Sequence, residues 1–151
     1  MKTMPGHYPS EDFLVQEFCS ALASNETPWG KVRLFREFNY HRGQADVVVV
    51  DQNNSVLAFE FKLRKWVHAM HQAYRNTCFA HHSYVVLPEP TAKLAHRYFR
   101  EFERRSIGLC SIKEGSVVIL VPAVYQEPIQ LWLSNFAASK SGDGNGNESS
   151  G

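Results

Sequence analysis

Gln44-Ala-Asp-Val-Val-Val-Val-Asp-Gln-Asn-Asn-Ser-Val-Leu-Ala-Phe-Glu-Phe-Lys62 is the stretch whose reading decides this fold. Two apolar runs, Val47–Val50 and Val56–Phe61, flank the turn-forming cluster Asp51–Ser55. Short β-branched runs bounded by Asn, Asp and Ser predict strands, and so short a gap predicts an antiparallel hairpin. Asp46 opens the first strand, while Glu60 and Lys62 close the second. Opposed residues share a face of the sheet, and side chains alternate along each strand. If Val50 faces Val56, then Asp46 faces Glu60 at about 5 Å between Cβ atoms, with Lys62 on the same face. A two-residue Asn53-Asn54 turn would slip the register by one and send Glu60 to the other face. The paired arrangement therefore requires a longer loop or a bulge. Two carboxylates so placed can grip one divalent cation.

The rest of the chain sets limits on that reading. Its 151 residues suffice for one domain with its own core. Hydrophobic residues make up 44% and charged residues 21%, ordinary for a globular protein, and the net charge of +1 argues neither for nor against a nucleic-acid partner. Cys19, Cys78 and Cys110 are odd in number and lack CxxC spacing, which points to reduced thiols and away from a disulfide framework or a cysteine zinc site. No apolar run approaches eighteen residues and no leader pattern opens the chain, so no membrane span and a cytoplasmic location are expected. A single domain over 1–138 is expected, with the Ser-, Gly- and Asn-rich residues 139–151 as a disordered tail.

Taken in order, Ser10 caps a helix running to about Ser24, with Phe13, Leu14, Phe18, Ala21 and Leu22 on its apolar stripe and Glu17 among them. Lys31–Asn39 alternates with a change of phase midway, which predicts a strand. The turn Tyr40–Gly43 carries His41 and Arg42, and the hairpin follows. Arg64–His81 predicts a helix with an apolar stripe and a polar one, the latter of Lys65, His68, Gln72 and Asn76. Ser83–Leu87 is a buried strand stopped by Pro88 and Pro90. Thr91–Arg105 is an amphipathic helix with Leu94, Ala95, Tyr98, Phe99 and Phe102 inward. Gly108–Lys113 and Ser116–Val121 form a hairpin, and Pro128–Ala138 is a final helix. Strands three and four flank a helix and should be parallel, so the class is α/β with a mixed sheet.

This order of elements, with Asp46 and then Glu60-Phe-Lys62, resembles the PD-(D/E)xK nuclease superfamily over roughly Glu11 to Leu87. Ala45 stands where the family motif has proline. The resemblance implies a restriction-endonuclease-like αβββαβ core with a mixed central sheet flanked by helices, here extended by a C-terminal hairpin and helix. It also implies that Asp46 and Glu60 hold Mg²⁺ (or Mn²⁺), with the carbonyl of Phe61 as a further ligand and Lys62 as the catalytic lysine. Glu17 matches the first-helix acid of many members, with Glu11 competing for that role, and Gln72 resembles the glutamine some members carry on the next helix. The implied activity is metal-dependent hydrolysis of phosphodiester bonds, as an endo- or exonuclease, with DNA expected ahead of RNA.

The residue types suit that chemistry. A cation held by carboxylates polarises a phosphate and acidifies bound water, and a protonated Lys62 orients that water or meets the developing charge. His41, Arg42, Arg64, Lys65 and His68 would steer the nucleic-acid backbone without reading bases. A domain this small is expected to act as a homodimer. The competing reading is a catalytically inactive nuclease-fold module, binding nucleic acid or a protein partner, with Asp46, Glu60 and Lys62 as a plain ion pair at a strand end. A zinc site on His68 and His71 lacks both a His-Glu-x-x-His motif and an evident third ligand.

Overall fold

The hairpin closes through a five-residue loop, in the register that places Val50 opposite Val56. Asp51 organises that loop: its Oδ1 accepts from the backbone N–H of Asn53 and of Ser55, both at 2.9 Å. Asn54 takes the left-handed conformation (φ 62°) that asparagine tolerates. An Asn53-Asn54 two-residue turn is thereby avoided, and the acids keep their register.

The computed structural model describes residues 8–41, 43–131 and 133–139. Its elements are α1 (Glu11–Ala23), β1 (Arg33–Tyr40), β2 (Gly43–Val50), β3 (Val56–Phe61), α2 (Trp66–Asn76), β4 (His82–Pro88), α3 (Glu89–His96), α4 (Phe99–Arg104), β5 (Gly108–Lys113) and β6 (Ser116–Val121). Residues 133–139 are also helical. The strands form one six-stranded sheet in sequence order. β3 runs parallel to β4 and β4 to β5, with α2 and the α3–α4 pair as the crossovers, while the remaining pairs are antiparallel. The mixed α/β architecture is the expected one.

Helices cover both faces. On one, Leu14, Phe18 and Leu22 of α1 pack on Val47, Val49, Leu57, Phe59 and Phe61. On the other, Ala69 and Ala73 of α2 meet Val85, Leu87 and Phe102, while Phe79, Leu133 and Ala137 pack on Phe38, Val48 and Ala58. Burying each of the larger side chains contributes about 1.5–3 kcal/mol. The phase change expected in β1 occurs at Glu37 (φ 57°): Leu34 packs on the α1 side, whereas Phe35 and Phe38 pack on the opposite one. β2 changes phase beside it, since Ala45 packs away from α1 and Val47 toward it. Asp46 lies between those two residues, at the border of both faces.

Several boundaries differ from expectation. The helix expected over Arg64–His81 is shorter, because the chain turns at Thr77 and drops Cys78, Phe79 and Ala80 into the core. The helix expected over Thr91–Arg105 begins at Glu89, where Pro90 fits the first turn, and breaks at Arg97-Tyr98 into α3 and α4. Ala92, Ala95 and Phe102 face the core, whereas Leu94, Tyr98 and Phe99 are exposed. Ser139, expected to open the tail, is helical, and residues 140–151 lie outside the described residues. Among the described residues the three cysteines form no disulfide. Among the described residues, no helix is long and apolar enough to cross a membrane.

Candidate active site

Continuing the β2–β3 register one step past Val47 and Phe59 sets Asp46 against Glu60. The two carboxyls are electrostatic neighbours, the charge of Asp46 opposing ionisation of Glu60. Asp46 Oδ2 also accepts from the backbone N–H of Phe61 at 2.9 Å. Glu60 is fully buried, and its Oε2 accepts from Asn76 Nδ2 at 2.7 Å, while its Oε1 has no donor among the described residues. Burial raises the Glu60 carboxyl to about 8, the Asp46 charge adding to the effect and the Asn76 amide opposing it. Burial also raises Asp46, against the pull of the Phe61 N–H and of Lys62. A buried carboxyl with one undonated oxygen beside a half-buried one is an arrangement that a cation would relieve.

Lys62 follows directly at the end of β3, its side chain one-fifth exposed. Its Nζ lies 3.9 Å from Glu11 Oε1 in the first turn of α1. Glu11 also lines a cleft of about 160 Å³ with Asp46 and Arg36. On its other side, Glu11 and Lys62 line a larger cavity of about 710 Å³, between the start of α1, the β3–α2 connection and the β4–α3 junction. Arg64, Lys65 and His68 line the same cavity.

Glu17 is engaged elsewhere. Its Oε1 accepts from Tyr8 Oη at 2.7 Å and from the backbone N–H of Gly115 at the β5–β6 turn. α1 crosses the sheet so that its first turn, with Glu11, approaches Lys62, and Glu17 ties the helix to the far hairpin. Of the two first-helix acids, Glu11 is therefore the one brought to the site. Gln72 makes no hydrogen bond to either carboxyl, and its Oε1 is buried without a partner among the described residues. Phe61 supplies its N–H to Asp46 while its ring packs under α1. His41 is exposed in the turn after β1, and Arg42 lies outside the described residues.

Asn76, Tyr40 and Arg75 are the polar neighbours that sequence reasoning did not assign to the site. Asn76 did carry a signal, since it continues the polar stripe of Gln72 one helical turn on. Tyr40 and Arg75 carried none.

Among the described residues, no three His, Cys, Asp or Glu side chains gather closely enough to hold a metal between them. The zinc alternative thus finds no third ligand for His68 and His71 among them. Two carboxylates suit Mg²⁺ better, because that ion keeps several of its waters and takes few protein ligands. The hard oxygen donors and the undonated Glu60 Oε1 fit such an ion.

Similar architectures occur among solved structures. The SPO1766 protein of unknown function from Silicibacter pomeroyi superposes with a TM-score of 0.59 at 12% identity, over 99% of this chain and 89% of that one. A repair endonuclease from Pyrococcus abyssi superposes with a TM-score of 0.51 at 21% identity, over 72% of this chain. The match spans 49% of the endonuclease. No protein-family model and no curated protein matches the chain. At these identities the likeness carries the fold alone, which is restriction-endonuclease-like: a six-stranded mixed sheet flanked by helices.

Proposed function

We propose that this protein is a metal-dependent nuclease that hydrolyses phosphodiester bonds, with DNA as its substrate. The observation that carries the proposal is the half-buried Asp46 of mid-β2 beside the fully buried Glu60 near the end of β3, with Lys62 just beyond and Glu60 Oε1 without a donor among the described residues. Asp46 and Glu60 would hold Mg²⁺ or Mn²⁺, helped by the main chain at Phe61, and Glu11 is the nearby acid able to act through water. Such a cation, when bound, polarises a phosphoryl oxygen and lowers the pKa of a coordinated water. Lys62, paired with Glu11, either orients the attacking water or stabilises charge on the phosphoryl group. Arg64, Lys65 and His68 surround the adjacent cavity, where the nucleic-acid backbone would run. The repair endonuclease with the same fold supports this reading. Two copies of so small a domain would be needed to cut both strands of a duplex, which makes a homodimer part of the proposal.

The test is cleavage of single- and double-stranded DNA and RNA with Mn²⁺ or with EDTA, comparing wild type, Asp46→Ala and Lys62→Ala. Metal-dependent cleavage that is lost in Asp46→Ala and reduced by about 10²–10³ in Lys62→Ala is the expected result. Cleavage that survives both refutes the site, and salt-sensitive binding without cleavage identifies a non-catalytic module.

A further inference from the structure

A row of hydrogen bonds leads from the β1–β2 connection to Glu60. Arg75 Nη2 donates to the Gln44 carbonyl and Arg75 Nε to Tyr40 Oη, each at 3.1 Å. Tyr40 Oη donates to Asn76 Oδ1 at 2.5 Å, and Asn76 Nδ2 donates to Glu60 Oε2 at 2.7 Å. Chemistry sets the direction of every step. A guanidinium can only donate, and Glu60, once a cation holds it ionised, can only accept. With Arg75 donating to the phenol oxygen, Tyr40 has one proton to offer, and Asn76 Oδ1 takes it. The NH₂ group of Asn76 is then what remains for Glu60. Turning that amide over would set its oxygen against the carboxylate and its NH₂ against the phenol proton, so the network selects one orientation.

The surroundings hold the row in place. Tyr40 stacks on Phe38 and meets Phe79 edge-on, while the Arg75 guanidinium lies 5.9 Å from the Tyr40 ring centre. Burial keeps the Tyr40 hydroxyl protonated, raising it to about 12. Asn76 is fully buried, where an amide is costly unless its hydrogen bonds are made. An apolar residue would serve mere packing better.

We infer that Asn76, oriented by Tyr40 and Arg75, is a positioning residue of the proposed active site: it occupies Glu60 Oε2 and leaves Oε1 as the oxygen available to a divalent cation. The inference rests on the metal-dependent reading above and adds to it the group that decides which face of Glu60 is used. It also ties the carboxylate to Gln44, two residues before Asp46, so that both acids are referenced to one short stretch of β2.

Mn²⁺ affinity, measured by calorimetry on the full chain well below each variant's melting temperature, tests the assignment. Tyr40→Phe keeps the ring and removes the hydroxyl; it should weaken Mn²⁺ binding about tenfold although Tyr40 does not touch the site. Asn76→Ala should weaken it by about 10- to 100-fold, and adding Tyr40→Phe to Asn76→Ala should cost nothing more, because Tyr40 acts through Asn76. A Tyr40→Phe protein with a lowered melting temperature and wild-type Mn²⁺ affinity overturns the positioning role alone. Wild-type protein that binds no Mn²⁺, or binds it equally well as Asp46→Asn, overturns the metal-dependent reading itself and this assignment with it.

Discussion

Glu11 Oε1 lies 3.9 Å from Lys62 Nζ across the junction of α1 and β3, while Glu17 is held by Tyr8 and the Gly115 N–H of the β5–β6 turn. The two acids therefore have separable roles. Glu17→Gln should lower stability by about 1.5–3 kcal/mol, the range for hydrogen bonds to a charged group, and leave cleavage per folded molecule unchanged. Glu11→Gln should leave stability nearly intact, since its ion pair is half exposed, and reduce cleavage. Urea titrations beside cleavage assays check both.

Lys62 acts on the reacting phosphate in the proposed mechanism, whereas Asp46 and Glu60 hold the cation. Lys62→Ala should reduce kcat by about 10²–10³, the scale of a lost charge-stabilising donor. Its Mn²⁺ affinity should stay within a fewfold of wild type. Asp46→Ala should lose both. Calorimetry and single-turnover cleavage on the same preparations separate the two patterns.

The buried Glu60 imposes a pH dependence on the metal-free protein. Glu60 is raised from 4.5 to about 8, so the folded state holds that proton more tightly than the unfolded chain does. The resulting stability is fully present below about 4.5 and lost as pH rises through about 8. Wild type should therefore lose melting temperature relative to Glu60→Gln across that window. Millimolar Mg²⁺ should recover the loss in wild type only. A difference between the two proteins that stays flat with pH would contradict the burial of Glu60.

Arg64, Lys65 and His68 line the cavity beside Lys62, and none of the three has an acidic ion-pair partner among the described residues. Removing a phosphate contact should reduce the slope of log affinity against log salt by about 0.7–0.9. Arg64→Ala and Lys65→Ala should each do so for a single-stranded oligonucleotide in EDTA, and to a similar degree on different sequences. Fluorescence anisotropy at several salt concentrations measures it.

Much of the scaffold was legible because its signals are local. Valine runs around Asp51–Ser55 specify strands and a loop, and the Val50–Val56 pairing then carries Asp46 to Glu60 by alternation. The β5 and β6 boundaries were legible for the same reason, with Lys113–Gly115 supplying the turn between alternating strands. The break between α3 and α4 was less so, because Leu94, Tyr98 and Phe99 extend a helical stripe that the sheet has no room to bury.

The order of elements and the existence of the hairpin were determined by the sequence itself, since periodicity and turn chemistry act over a few residues, while the five-residue loop held by Asp51 decided the register that brings the two acids together. Which acid of α1 approaches Lys62 depends on how that helix lies across the sheet, which the packing of Leu14, Phe18 and Leu22 decides. Likewise, Asn76 meets Glu60 only because α2 folds back over the strand it follows, joining residues sixteen apart through a single buried hydrogen bond. Contacts of that kind depend on the relative placement of whole elements, which tertiary packing alone supplies.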